Sequence, residues 1–195
     1  MKDEAGAALL LVDVINRFDF SHPEGLLTAA HAVLGNLEAL ANSARTSGVP
    51  VVYVNDNFGM WQSDFRALTE SCLGPDQPGR EIARRLLPQP SDYFVLKPRH
   101  SGFLGTPLEA LLAHLGASSV VLAGFATDLC VLFTGLDAHA RGFRVAVAAD
   151  ATAANDPESH QRALALFEHT LHAPLVRSAD PDWEKLSKAK RRSLF

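Results

Sequence analysis

Asp13, Lys97 and Cys130 are the residues of this chain whose types and positions suit covalent chemistry. Each stands where a short apolar run ends. Asp13 interrupts the run Leu9 to Ile15, Lys97 follows Phe94-Val95-Leu96 directly, and Cys130 comes just after Val120 to Phe125. A thiol attacks as the thiolate, and a helix N-terminus with a nearby cation lowers its pKa. Cys130 sits at the expected start of a helix and Lys97 would be the cation. The pair therefore predicts a thiol pKa below the free value of about 8.5. Asp13 can take the thiol proton and later return it to a leaving amine. Backbone amides around the strand-to-helix turn Ala126 to Cys130 can hold a developing oxyanion. The same residues also admit ordinary roles: Cys130 as a small buried hydrophobe, Asp13 as a helix cap, Lys97 as a snorkelling edge residue. Spacing alone does not choose between these readings.

The elements that must position them alternate along the chain. Strand candidates are Ala8 to Val12, Val51 to Val54, Tyr93 to Leu96, Val120 to Ala123 and Val145 to Ala148, with a weaker sixth at Leu175-Val176-Arg177. They are continuously apolar, as expected of strands covered on both faces. Leu27, Ala30, Leu34, Leu37 and Ala41 recur at helical spacing until Gly48 and Pro50 stop that helix. Thr106-Pro107 opens another, with Pro in the first turn, running through Leu108, Leu111, Leu112 and Leu115 to Gly116. A further helix runs from near Asp128 to Gly142. Strand and helix alternating this way predict an α/β fold, a parallel sheet with helices on both faces, in one domain over residues 1–195. In such a sheet the carboxyl ends share one edge, so the three residues converge if their strands are neighbours. Two irregular stretches, Phe18 to Gly25 and Asn55 to Pro78, follow strands at that same edge.

Composition excludes several function classes. The chain has 195 residues, 47% hydrophobic and 21% charged, which is enough to bury a core without staples. A net charge of −4 offers no field for a nucleic-acid backbone. The longest apolar runs are too short to cross a bilayer, and the N-terminus lacks a signal-peptide pattern, so a cytoplasmic protein is expected. Two cysteines, Cys72 and Cys130, make no disulfide framework. Cys72, in a loop rich in Gly and Pro, reads as incidental.

Familiar ligand motifs are missing. No G-x-G-x-x-G follows the first strand, and no G-x-S-x-G elbow occurs. Gly74 to Gly79 has P-loop glycine spacing, but Arg80-Glu81 replace the Lys-Ser/Thr that phosphate binding requires. His169 and His172 share helical spacing but have no evident third ligand, so they read as partly exposed helix histidines. The basic end Lys185, Lys188, Lys190, Arg191 and Arg192 reads as a solvated last turn.

Three ordered segments carry a resemblance: Leu10-Leu11-Val12-Asp13, Lys97-Pro98-Arg99-His100-Ser101-Gly102-Phe103-Leu104-Gly105-Thr106, and Gly124-Phe125-Ala126-Thr127-Asp128-Leu129-Cys130-Val131. With Thr134 to Ala138, Gly142 and Asp150-Ala151, the chain resembles the isochorismatase-like cysteine hydrolases from Ala8 to about Leu175. The resemblance implies a three-layer, Rossmann-like α/β sandwich on a six-stranded parallel sheet, commonly in homo-oligomers. It implies an Asp–Lys–Cys triad, falling on Asp13, Lys97 and Cys130, and a non-proline cis peptide at Phe125–Ala126. The amides of Ala126 and Cys130 would then face the oxyanion.

Departures from the family pattern narrow the substrate. Nicotinamidases carry Asp-x-His…His after the second strand; here Asn55 to Asp64 contains no histidine, so no metal site is expected. Some isochorismatases lack the cysteine, and its retention points toward carbon–nitrogen hydrolysis. The glutamine frequent two residues after the first Asp is Ile15 here. Phe18, Phe58, Trp61 and Phe103 are candidates for an apolar pocket wall, with Asn57 as a polar handle. His100 reads as a surface or supporting histidine.

The resulting expectation is a metal-independent cysteine amidohydrolase without cofactor. It would cleave a small carboxamide or ureido compound through an acyl-enzyme on Cys130. A vinyl-ether hydrolase using Asp13 as acid, or a non-catalytic ligand-binding member, are the alternatives.

Overall fold

The computed structural model describes residues 6–188, 190 and 191. Six parallel strands form one sheet in the order β3-β2-β1-β4-β5-β6. The strands are β1 (Gly6–Val12), β2 (Val51–Asp56), β3 (Tyr93–Lys97), β4 (Ala117–Phe125), β5 (Arg144–Ala153) and β6 (Leu175–Val176). Each expected run is a strand. Leu175 and Val176 form the sixth, while Arg177 makes only an isolated antiparallel bridge to Asp180.

Period-two alternation sends the β1 side chains into two cores. Ala7, Leu9 and Leu11 pack with α1 (Glu24–Thr46), α2 (Phe65–Cys72), α3 (Arg80–Arg85) and α7 (Trp183–Ser187). Ala8, Leu10 and Val12 pack on the other face with α4 (Leu108–His114), α5 (Leu132–Ala140) and α6 (Pro157–Ala165). Both faces of the central strands are dry, which is why their sequences are apolar without alternation. Strand β3 departs from that rule. It is one of the sheet's two edges, and its Tyr93 and Phe94 are exposed. An edge strand lacks a neighbour on one side, so apolar composition does not guarantee cover.

Helix α1 stops where expected: Ser47 caps it, and Gly48 takes the left-handed φ of +70°. Pro107 is the N-cap of α4, one position before the first turn. The stretch Asn55 to Pro78 is less irregular than its Gly and Pro content suggests. It contains α2, whose Phe65, Leu68, Thr69 and Cys72 face the core at helical spacing and whose N-cap Asp64 accepts from the Ala67 N–H at 2.8 Å. Cys72 therefore lies on a helix, not in a loop. It is fully buried, and burial pushes its thiol up to about 11.

The expected histidine pair on one helix does not form. His169 lies within a π-helical turn, Leu166–Thr170, whereas His172 lies beyond it at φ +50° and borders a separate cavity with Arg144 and Lys185. The basic end is not simply solvated either. Arg191 stacks over the Phe143 ring at 3.8 Å, and the Lys190 carbonyl accepts from Arg144 Nε at 3.0 Å. Arg192 lies outside the described residues.

Candidate active site

The strand order reverses between β1 and β4, the two strands that leave the first βα unit in opposite directions. Open α/β sheets bind ligands in the crevice at such a switch point. Asp13 follows β1 and Cys130 follows β4, so the two straddle it. Contact between their strands is tight. Gly124 pairs with Val12 at φ +108°, and a Cβ added there would collide with the Val12 carbonyl oxygen. Only glycine lets β4 run this close to the residue preceding Asp13.

Lys97 ends β3, two strands from β1, with β2 between them. Its side chain reaches across to place Nζ 2.9 Å from Asp13 Oδ2, 3.4 Å from Asp56 Oδ2 and 3.5 Å from Cys130 Sγ. Nothing of Lys97 is exposed. A buried ammonium needs carboxylate partners, and it has two. Asp56 ends β2 in register with Lys97, and its amide donates to Asp13 Oδ1 at 2.6 Å. It is the participant that sequence reasoning missed, although its position at a strand's carboxyl end was a usable signal.

Cys130 belongs to a π-helical turn, Thr127–Val131, that precedes α5, and not to the first turn of a regular α-helix. The Phe125–Ala126 bond ahead of it is cis. The Ala126 carbonyl accepts from both Leu129 and Val131 amides at 3.1 Å, folding the chain tightly under the thiol. Thr127 Oγ1 lies 2.9 Å from His160 Nδ1 on α6. Behind the turn, Thr134 Oγ1 donates to the Cys130 carbonyl at 2.6 Å and accepts the Gly102 N–H at 2.9 Å. Ser101 donates to Asp137 Oδ2 at 2.5 Å. The loop after Lys97 is thus pinned to the helix after Cys130.

The expected low thiol pKa is not met. Burial first, and then the Asp13 carboxylate, push Cys130 upward, with Lys97 pulling less strongly the other way. Asp13 is raised by its own burial against the pull of Lys97. Burial also opposes the charge of Lys97, but Asp13, Cys130 and Asp56 outweigh it and raise its pKa. These directions favour a neutral thiol at rest beside a carboxylate–ammonium pair. Such a carboxylate is a stronger base than an ordinary aspartate.

A cavity of about 560 Å³ opens over these groups. Asp13, Cys130, Ala126, Phe125 and Asp56 form its head, and Phe20, Phe58, Leu129, His22 and His100 its sides. Of the wall residues expected from sequence, Phe58 is on this cavity. Phe18 is not: it is fully buried, edge-on to Phe125 at 6.0 Å, as part of the core. Phe103 is also core, against Phe143 at 5.9 Å and covered by the Arg141 guanidinium at 4.9 Å. Trp61 is 76% exposed over a shallow depression with Met60 and Gln62. Asn57 is spent on the turn, its Oδ1 accepting the Gly59 N–H at 2.9 Å. Ile15 packs in the core, and its carbonyl accepts from Asn55 Nδ2 at 2.7 Å. Among the described residues, no three His, Cys, Asp or Glu side chains gather in a way that could hold a metal ion.

Comparison with known proteins agrees with this fold. The isochorismatase domain model matches residues 7–180. An uncharacterized isochorismatase family protein of Bacillus subtilis, YaaI, is 34% identical over 89% of this chain and 94% of its own length. The structure of N-carbamoylsarcosine amidase from Thermoplasma acidophilum is 32% identical, with a TM-score of 0.66 over 89% of this chain and 96% of that one. The nicotinamidase SaPncA from Staphylococcus aureus is 26% identical, with a TM-score of 0.66 over 87% and 98% of the two chains. On the family match across most of its length, the chain belongs to the isochorismatase family of hydrolases.

Proposed function

We propose that this protein hydrolyses a carbon–nitrogen bond of a small carboxamide or ureido compound, with Cys130 as nucleophile. The observation that carries the reading is the contact of one buried Lys97 ammonium with both Asp13, at 2.9 Å, and Cys130, at 3.5 Å, at the head of an open cavity. The amide-cleaving relatives support it.

Because the resting thiol is neutral, its proton moves as the sulfur attacks. Asp13 takes that proton while the S–C bond forms, and the carbonyl π electrons pass to oxygen. The amides of Ala126 and Cys130 are assigned to that oxyanion. Lys97 keeps its charge throughout. It holds Asp13 in place and offsets the negative charge that gathers on sulfur and carboxylate. When the tetrahedral adduct collapses, the C–N bond breaks and Asp13 passes its proton to the departing nitrogen. Water then attacks the thioester, losing a proton to Asp13; the C–S bond breaks, Asp13 returns that proton to sulfur, and the acid leaves the free thiol behind. The homo-oligomer implied by the resemblance belongs to the same reading.

Ammonia release from a panel of amides and ureido compounds tests the proposal, with Cys130→Ala as control. Release that disappears in Cys130→Ala supports it. Pyruvate release from isochorismate that survives in Cys130→Ala would replace it with vinyl-ether hydrolysis.

A further inference from the structure

The cavity over Cys130 is unevenly charged. Asp13, Asp56 and Asp128 line it, with His22 and His100, and among the described residues no lysine or arginine does so. The ammonium at its head, Lys97, is fully out of water and already held between Asp13 and Asp56. Arg17 stacks on the Phe58 ring at 5.7 Å, but its guanidinium is paired with Asp19 at 3.0 Å.

Asp128 differs from the other two carboxylates. It stands in the π-helical turn two residues before Cys130 and is half-buried. Among the described residues its side chain makes no hydrogen bond or ion pair, and it acts electrostatically on His160. A carboxylate left unmatched on a pocket wall is available to a ligand. The rings of Phe20, Phe58 and Phe125 share the same cavity, and aromatic faces attract cations as carboxylates do. A substrate carboxylate would meet Asp128 and a head that bears two carboxylates against one ammonium, which costs affinity and slows approach.

We propose that the pocket takes carboxamide or ureido substrates carrying a cationic ammonium group, held by Asp128, and turns away their carboxylate counterparts. The proposal rests on the amidohydrolase reading and deepens it.

Two measurements test it. The first is the alkylation rate of Cys130 at pH 9 by neutral iodoacetamide, anionic iodoacetate and the fixed cation (2-bromoethyl)trimethylammonium, each divided by its rate with free cysteine and located by mass spectrometry. The cationic reagent should exceed the anionic one by roughly tenfold after that correction. Asp128→Asn should shrink the ratio and Asp128→Glu restore it, with melting temperatures reported for both. The second is ammonia release from matched amides differing only in an ammonium, neutral or carboxylate substituent. The ammonium member should have the highest kcat/KM, chiefly through KM. Carboxylate amides cleaved as well as ammonium ones, or iodoacetate matching (2-bromoethyl)trimethylammonium, overturn this inference while leaving the amidohydrolase reading in place. A preserved alkylation order with no ammonia from any amide overturns the amidohydrolase reading and confines this inference to ligand charge.

Discussion

Lys97 Nζ lies 2.9 Å from Asp13 Oδ2, although β2 separates the strands that carry the two residues. The lysine spans the intervening strand, and Asp56 at the end of that strand takes a second contact with the same ammonium. Three carboxyl ends of the sheet are therefore tied through one buried cation. Cys130 approaches from the fourth, β4, across the switch point.

Removing that cation should hurt stability as well as activity. In Lys97→Met, Asp13 stays buried without its ammonium, and breaking such a pair from one side costs about 3–5 kcal/mol. Lys97→Met/Asp13→Asn should recover most of the loss in chemical denaturation while releasing no ammonia. A single variant as stable as the parent would contradict this account of the pair.

The alkylation rate of Cys130 with neutral iodoacetamide should respond in opposite directions to its two neighbours. Asp13 raises the thiol pKa and Lys97 lowers it. Asp13→Asn should therefore increase the thiolate fraction and the rate at a given pH, and Lys97→Met should decrease both. The parent should react more slowly at pH 8 than free cysteine. A parent thiol that reacts as a preformed thiolate at pH 7 would refute the neutral resting state.

Alkali should destabilise the fold partly through Cys72. Its thiol is raised by burial from 9.0 to about 11, so the unfolded chain gives up this proton first. The contribution is fully present below pH 9 and is lost as pH rises toward about 11. Melting temperatures across that window should fall less steeply for Cys72→Ala than for the parent, whatever the baseline cost of the substitution. Parallel slopes would show that Cys72 does not contribute.

In the proposed mechanism Thr134 is a positioning residue. In Thr134→Val the buried Gly102 N–H loses its acceptor and the Cys130 carbonyl its donor, at about 1–3 kcal/mol for each group left unmet. We expect lower stability together with a fall in kcat of roughly tenfold or more at nearly constant KM, because the groups displaced are those that place the nucleophile. Thr134→Ser should restore both bonds and most of the activity. Equal kcat in the Val variant would reduce Thr134 to a core residue.

Phe18 and Phe58 should separate cleanly. Phe18→Ala empties a core position and should cost about 3–5 kcal/mol in denaturation. Phe58→Ala, on the cavity wall, should raise KM with little change in stability. Trp61→Ala should change neither, since the indole is exposed away from the cavity.

The sequence by itself determined the strands, their parallel arrangement and the edge to which Asp13, Lys97 and Cys130 belong. Unbroken apolar runs such as Leu9 to Val12 and Val120 to Ala123 are what two-sided burial demands. A polar residue closing such a run is a local signal. Tertiary structure decided what local signals do not encode. Short helices such as α2 hid between turn residues, because their few apolar positions form a face only once a sheet lies beneath them. Aromatic type said nothing about direction, so Phe18 and Phe103 went to the core and Phe58 to the cavity. Asp56 became a partner of Lys97 because strand order placed β2 between β3 and β1. The thiol's upward shift has the same origin: burial and the distance to Asp13 set it, and both are properties of the folded chain.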